Sequence, residues 1–255
     1  MTKVSEFELV ESWYIQPNFL LEVARGNVKN LSSVVKFARD NNVGTTLKDV
    51  WAESANIVYM TSAAQLDLVS TDATDNAAGV GARSIRIYGL DADYNEIMED
   101  ISLHATDWTI AVQTVNSYLR VYRMQVLTAG STGGAVWNIT LKDWSNTQAI
   151  IVDGDNQTLI SHYTVPAGKT AYLIYWDLSV WSWKSATGKF FIRPFGEIFR
   201  VAQVIDIFET NYIRNFTVPI KITEKSDLVL RAISSSAGTA LSMNYDIILV
   251  DNVIE

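Results

Sequence analysis

The run Gly79-Val-Gly-Ala-Arg-Ser-Ile-Arg-Ile-Tyr-Gly-Leu-Asp-Ala-Asp-Tyr-Asn-Glu-Ile-Met-Glu-Asp-Ile-Ser-Leu103 alternates apolar and polar side chains on both sides of a turn-rich centre. Ile85 and Ile87 interleave with Ser84, Arg86 and Tyr88, and Ile97, Ile101 and Leu103 with Met98, Asp100 and Ser102. A period of two places each set on one face of a strand. Between the arms, Gly89 to Asn95 supplies Gly, Asp and Asn, which tolerate turn backbone or hydrogen-bond to it. The run therefore predicts a β-hairpin. Outward from it, a third strand is expected over 118–127 and a fourth over 136–142. The glycine-rich turn Thr128-Ala-Gly-Ser-Thr-Gly-Gly134 joins them into a β-meander.

Further out the same period recurs. Short strands are expected at 57–60 and 65–70, and 143–157, with Trp144-Ser-Asn-Thr-Gln and Asp153-Gly-Asp-Asn, has the turn chemistry of a linker. Beyond it, strands are expected at 163–170, 171–183, 189–193, 199–208, 213–222, 228–233 and 241–250. In the long strand 171–183 the even residues Tyr172, Ile174, Trp176, Leu178 and Val180 form the core face. The odd face carries Leu173, Tyr175, Asp177, Ser179, Trp181 and Trp183. Residues 1–45 predict an extended arm, which reads either as reaching onto a neighbouring subunit or as a terminal strand tucked along its own domain, and in which 18–25 reads either as a short helix stopped by Gly26 or as an extended run. Many short strands without a repeating helical segment define an all-β fold class. The expected architecture is two β-sandwich domains of jelly-roll kind, at 46–145 and 146–255, preceded by the N-terminal arm 1–45.

Composition bounds the function. Hydrophobic residues make up 48% of the 255 residues and charged ones 19%, a globular profile. A formal net charge of -8 argues against a nucleic-acid partner, which calls for clustered Lys and Arg. The chain has no cysteine, so neither a disulfide framework nor a thiolate metal site is available. The first residues lack a signal-peptide core, and nothing approaches the roughly 18 to 20 apolar residues of a membrane span. Synthesis in a cytoplasm, with no membrane partner, is the expectation.

Little in the chain predicts chemistry. The two histidines, His104 and His162, stand at strand ends without a nucleophile or triad context and read as structural. Zinc would need a His or Cys cluster that the sequence does not contain. Asp91, Asp93 and Asn95 copy the first ligand positions of an EF-hand loop, but Glu96 stands where glycine is required and Ser102 where the bidentate Glu belongs. They remain a weak calcium candidate against the plainer reading of an Asp/Asn-rich turn. Asn76-Ala-Ala-Gly-Val-Gly81 has the look of a phosphate loop but precedes a strand and lacks the Lys and Ser/Thr of one; it reads as a flexible loop. The expectation is no cofactor and no enzyme activity. Trp181 and Trp183 suggest an interface, or less readily a glycan platform. In the arm, Trp13, Tyr14, Phe19 and Phe37 have no domain of their own to bury them and read as further interface residues.

Several segments resemble a family of virion structural proteins of tailed bacteriophages, especially marine ones. They are Asp75-Asn-Ala-Ala-Gly-Val-Gly-Ala-Arg83, Gly89-Leu-Asp-Ala-Asp-Tyr-Asn-Glu96, Asn116-Ser-Tyr-Leu-Arg-Val-Tyr-Arg123 and Leu127-Thr-Ala-Gly-Ser-Thr-Gly-Gly134. Val23-Ala-Arg-Gly-Asn27, Val35-Lys-Phe37, Tyr163-Thr-Val-Pro-Ala-Gly-Lys169, Arg193-Pro-Phe-Gly-Glu197 and Ile247-Ile-Leu-Val-Asp251 extend the likeness across nearly the whole chain. The resemblance implies a non-enzymatic part of the virion. A capsid decoration or cement protein is expected, a homo-oligomer with a trimer favoured, bound to virion proteins such as the major capsid protein. The alternatives are a neck or tail protein, a tail-borne receptor-binding adhesin, and, third, a glycan depolymerase.

Overall fold

A computed structural model of the protein describes residues 18–181 and 183–252. In chain order the elements are α1 (Phe19–Ala24), β1 (Leu31–Val43), β2 (Lys48–Asp49), β3 (Asp67–Ser70), β4 (Ala82–Leu90), β5 (Glu96–Ser102), β6 (Val112–Gln113), β7 (Arg120–Ala129) and β8 (Ile139–Asp143). They continue with β9 (Asn146–Ile151), β10 (Tyr163–Thr164), β11 (Lys169–Val180), β12 (Ser185–Arg193), β13 (Arg200–Phe208), β14 (Asn211–Ile222), β15 (Asp227–Ser234) and β16 (Thr239–Asp251). The fold is all-β, as the periodicity predicts.

The strands form two sandwiches, and one is inserted into the other. In the outer sandwich one sheet has the order β1-β16-β11-β14, and the facing sheet the order β10-β15-β12-β13 with β2 also paired to β15. Their inner faces share one core, which includes Ala38, Leu173, Trp176, Phe190, Leu230 and Tyr245. The inserted sandwich lies between β2 and β10 in sequence. It pairs β6-β3-β8-β9 against β5-β4-β7 around Leu66, Ile85, Ile87, Met124, Ile139 and Leu141. A third cluster, with Trp51, Ile57, Ile150, Ile160, Phe191 and Val229, joins residues of both.

This arrangement corrects four sequence expectations. Of the two readings of the arm 1–45, its described second half takes the terminal strand along its own domain and not the free arm: β1 runs antiparallel to β16 from Leu31 opposite Val250 to Val43 opposite Thr239. Its inward residues Ala38 and Val43 complete the outer core, so a boundary at 45 cuts the outer sandwich, and one at 145 falls between the paired strands β8 and β9 of the inserted one. The linker 143–157 contains β9, which pairs with β8 and buries Ala149 and Ile151. The meander is not one: β7 returns to the far side of β4 and not to β5, and β8 crosses to the opposite sheet to pair with β3. Finally, the core face of β11 switches midway. Ala171 and Leu173 point inward, a bulge at Ile174 shifts the pairing with both neighbours, and Trp176 and Leu178 carry the core onward.

The 76–81 loop is a wound turn and not a loose one. The buried Asp75 carboxylate accepts from the Ala82 amide at 2.7 Å, the Trp137 amide at 3.2 Å, the Val136 amide and the Ser70 hydroxyl. The chain closes on it so tightly that a Cβ on Gly81 would stand 2.1 Å from Asp75 Oδ1, and one on Gly79 2.1 Å from the Thr74 carbonyl. Glycine at these places serves close approach.

Candidate functional site

Two regions of the outer sandwich concentrate polar and aromatic groups, one at each end of its strands. The first is the junction with the inserted sandwich. Asp227, at the start of β15, is buried and accepts from Arg120 Nε at 3.0 Å and from Arg193 Nε at 2.8 Å. Arg120 opens β7 of the inserted sandwich and also donates to the Met60 and Leu119 carbonyls, both at 2.8 Å. Arg193 closes β12, with its guanidinium 4.3 Å from the Tyr59 ring centre and 4.6 Å from that of Phe199. Burial works against the Asp227 charge, but Arg120 outweighs it, with help from His162 and Thr164, and holds the carboxyl below its usual range.

His162 sits in the same cluster, its Nδ1 3.2 Å from the Tyr59 hydroxyl and its Nε2 3.4 Å from Thr164 Oγ1. Burial pushes its pKa down to about 3, with Arg120, Lys36 and Arg193 adding to the effect and Asp227 opposing it. It is neutral at pH 7. Lys36, on the inward side of β1, donates to the Tyr122 carbonyl of β7, and burial takes its ammonium well below the ordinary lysine value. The groups of this cluster bind one sandwich to the other.

The hairpin tip of the inserted sandwich completes the junction. Asp91 takes the Asp93 and Asn95 amides at 2.9 Å each on one oxygen and the Asn95 side chain at 3.1 Å on the other. This wraps the turn and leaves Tyr94 at φ +69. The Tyr94 carbonyl accepts from the Ala167 amide, its ring meets Phe195 edge-on at 5.7 Å, and Lys225 lies over both rings. Asp91, Asp93 and Asn95 therefore form a self-capped turn that positions Tyr94. Among the described residues, no group of three or more His, Asp or Glu side chains converges as a metal site. Between this tip and Arg193 lies a cleft of about 560 Å³ lined by Tyr59, Tyr94, Arg120, Arg193, Phe195 and Lys225.

The second region is the opposite end, where the turns after β1, β11, β13 and β15 meet. Hydrogen bonds tie them together: the Ser234 amide to the Gly44 carbonyl at 2.8 Å, the Glu209 amide to the Lys184 carbonyl at 3.0 Å, and Lys184 Nζ to Ser236 Oγ at 2.8 Å. From this braced end Trp181 is 66% exposed, Trp183 82% and Phe208 64%. The two indoles do not share a strand face as expected. β11 ends at Val180, and Trp183 stands in the turn at φ +63, a conformation uncommon for a bulky side chain.

The other expected interface residues divide. Trp13 and Tyr14 lie outside the described residues. Phe19 is exposed on α1, whose first turn Asn18 caps. Phe37 is half-buried on β1 under the Arg123 guanidinium of the inserted sandwich, so its ring already has an intramolecular partner. His104 accepts the Asp107 amide at 3.0 Å and closes a turn. The residues that sequence reading missed are Asp227, Arg120 and Asp75. The signal for Asp75 was present in the glycines that follow it; that for Asp227 and Arg120 was not, because their partners are 107 positions apart.

No protein-family model matches the chain, and no curated protein sequence matches it. Among solved structures, a chain in the structure of infectious bursal disease virus Gx strain is similar at 9% identity, over 88% of this chain and 76% of that one, with a TM-score of 0.22. One in the structure of the Gt strain of the same virus gives 10% identity, 93% and 83% coverage and a TM-score of 0.20. Superpositions this loose bear on neither fold nor function.

Proposed function

We propose that the protein is a non-enzymatic structural component of a tailed-phage virion, a decoration or cement protein that attaches to the head as a homo-oligomer. It is made in the host cytoplasm and carried in the particle. The observation that carries this reading is the strand order of the outer sandwich. Strands β1, β11, β14 and β16 lie in one sheet and β2, β10, β12, β13 and β15 in the other, the chain passing back and forth between them. We read this as a jelly roll, an architecture shared by viral capsid and lectin domains. The sequence resemblance to phage virion proteins adds to it.

The braced end with Trp181, Trp183 and Phe208 is the surface we assign to the shell. Exposed aromatics on a rigid frame give contact area at low entropic cost. Exposed indoles would also suit a tail-borne receptor-binding adhesin, and copy number separates the two. Quantifying the protein against the major capsid protein in purified virions is the test. A count in the hundreds supports the head assignment, and a dozen copies or fewer overturns it in favour of neck or tail. The double variant Trp181→Ser/Trp183→Ser is expected to fold with unchanged stability and to lose attachment to capsids; full attachment would remove this end from the contact.

A further inference from the structure

β14 is an edge strand, and the half of it next to the braced end is open. Asn211, Tyr212, Ile213, Arg214 and Asn215 are all exposed, and on one side they pair with β11, from Ser179 opposite Asn211 to Tyr175 opposite Asn215. Among the described residues, no strand lies on the other side. The Val180 amide donates to the Thr210 carbonyl. Antiparallel pairs alternate between bonded and non-bonded residues, so 210, 212 and 214 turn their main-chain groups toward β11. The amides and carbonyls of Asn211, Ile213 and Asn215 therefore point outward. Such a row is a template for another strand unless something blocks it. Farther along it is blocked: between Asn215 and Ile220 the pairing with β11 breaks at a bulge, and Pro219 removes a donor.

The open segment reads Asn-Tyr-Ile-Arg-Asn, which is nearly its own reverse. We infer that two copies of the chain pair antiparallel through residues 211–215 about a two-fold axis at Ile213, joining their sheets edge to edge. The inference rests on the self-association in the reading above and not on its virion part. In this register Ile213 meets its own copy and Asn211 meets Asn215 of the partner subunit at bonded positions, with about six main-chain hydrogen bonds in all. Tyr212 faces the partner's Arg214 at the non-bonded positions, where side chains come closest. Arg214 already lies 5.0 Å from the Phe216 ring centre. Tyr212 of the partner subunit would cover its other face, an arrangement favoured by cation–π attraction.

Neighbouring registers with the same bonding parity are worse. A shift one way sets Arg214 against its own copy, and like charges directly opposite destabilise a pair. A shift the other way sets Tyr212 against itself and leaves Arg214 facing Thr210. Self-complementarity of this kind is what a two-fold contact requires. It makes the pairwise contact two-fold, in place of the trimer that analogy with other β-sandwich virion proteins favours.

The test is sedimentation of the purified full chain across concentration, with two variants. Tyr212→Arg puts arginine opposite arginine and is expected to weaken the dimer at least about tenfold. Tyr212→Arg/Arg214→Tyr exchanges the partners, restores the pair by symmetry, and is expected to return the dimer to within about threefold of the parent. All positions changed are exposed, and equal melting midpoints verify the fold. Because the chain has no cysteine, Ile213→Cys with a short bis-maleimide linker, which adds to one thiol of each copy, should give a covalent dimer that Thr217→Cys does not. A parent chain that stays monomeric up to about 0.1 mM, an exchanged variant no better than the single one, or equal linking at 213 and 217 would each overturn the contact. A dimer that fails to attach to capsids leaves this contact standing and sinks the virion reading. Capsid-attaching protein that sediments as a monomer or trimer sinks the contact alone.

Discussion

Asp75 and Asp227 are both carboxylates shut away from solvent, and their charges are met in different ways. Around Asp75 the acceptors are filled by main-chain amides and one hydroxyl, all from the inserted sandwich. Around Asp227 they are filled by two guanidinium groups, one from each sandwich, and by Thr164. The first arrangement folds a loop; the second joins two units. A carboxylate held by amides can lose its charge and keep part of its bonding. One held between arginines cannot, because its loss leaves buried cations without a counter-charge.

The largest effect should therefore follow Asp227→Asn. Arg120 would remain buried beside a neutral amide, a loss of about 3–5 kcal/mol. Because the pair spans the junction, calorimetry should show the melting curve dropping and separating into two transitions. A single transition at the parent midpoint would break the comparison.

Acid titration of the same junction should come next. The unfolded chain takes up a proton at His162 below about pH 6.5, while the folded chain holds the ring neutral down to about 3. In that window the unfolded state binds more protons, so stability rises with pH and falls as the solution is acidified, by a few kcal/mol. Asp227, whose carboxyl is held low, adds to the loss below about pH 4. Asp49 works the other way, since burial raises its carboxyl despite the nearby Arg231. Denaturant midpoints measured from pH 7 to 4 should slope downward for the parent chain and flatten for His162→Gln.

Asp75→Asn should cost less, about 1–3 kcal/mol, since one oxygen still accepts while the new amide faces donors. The loss should be confined to the inserted sandwich. Hydrogen exchange at Ala82, Val136 and Trp137 should accelerate while β11 and β16 keep their protection. Equal acceleration in both sandwiches would show that Asp75 supports more than its own loop.

Much of the strand inventory was legible because burial on one face imposes a period of two on the sequence itself. The hairpin of β4 and β5, the run from β12 to β16, the turn that His104 closes and the exposure of Trp181 and Trp183 all follow from residues close in the chain; the place of His162 beside Tyr59, 103 positions away, does not. The turn at Asp91 was legible as well, since its oxygens serve amides two and four residues on. The periodicity failed at Ile174, where a bulge changes which parity faces inward, and alternation carries no mark of a bulge.

The amino-acid sequence by itself determined that the chain is all-β, where most strands and turns lie, and that its aromatic surplus includes indoles with no core to enter. Only the tertiary structure decided that β1 belongs with β16, that one sandwich is inserted within the other, and that Arg120 and Asp227 meet. Strand pairing is satisfied by any compatible edge, and ion pairing by any opposite charge within reach. Which edge and which charge are chosen across one or two hundred residues depends on the burial gained by the whole arrangement, and no local run of residues records it.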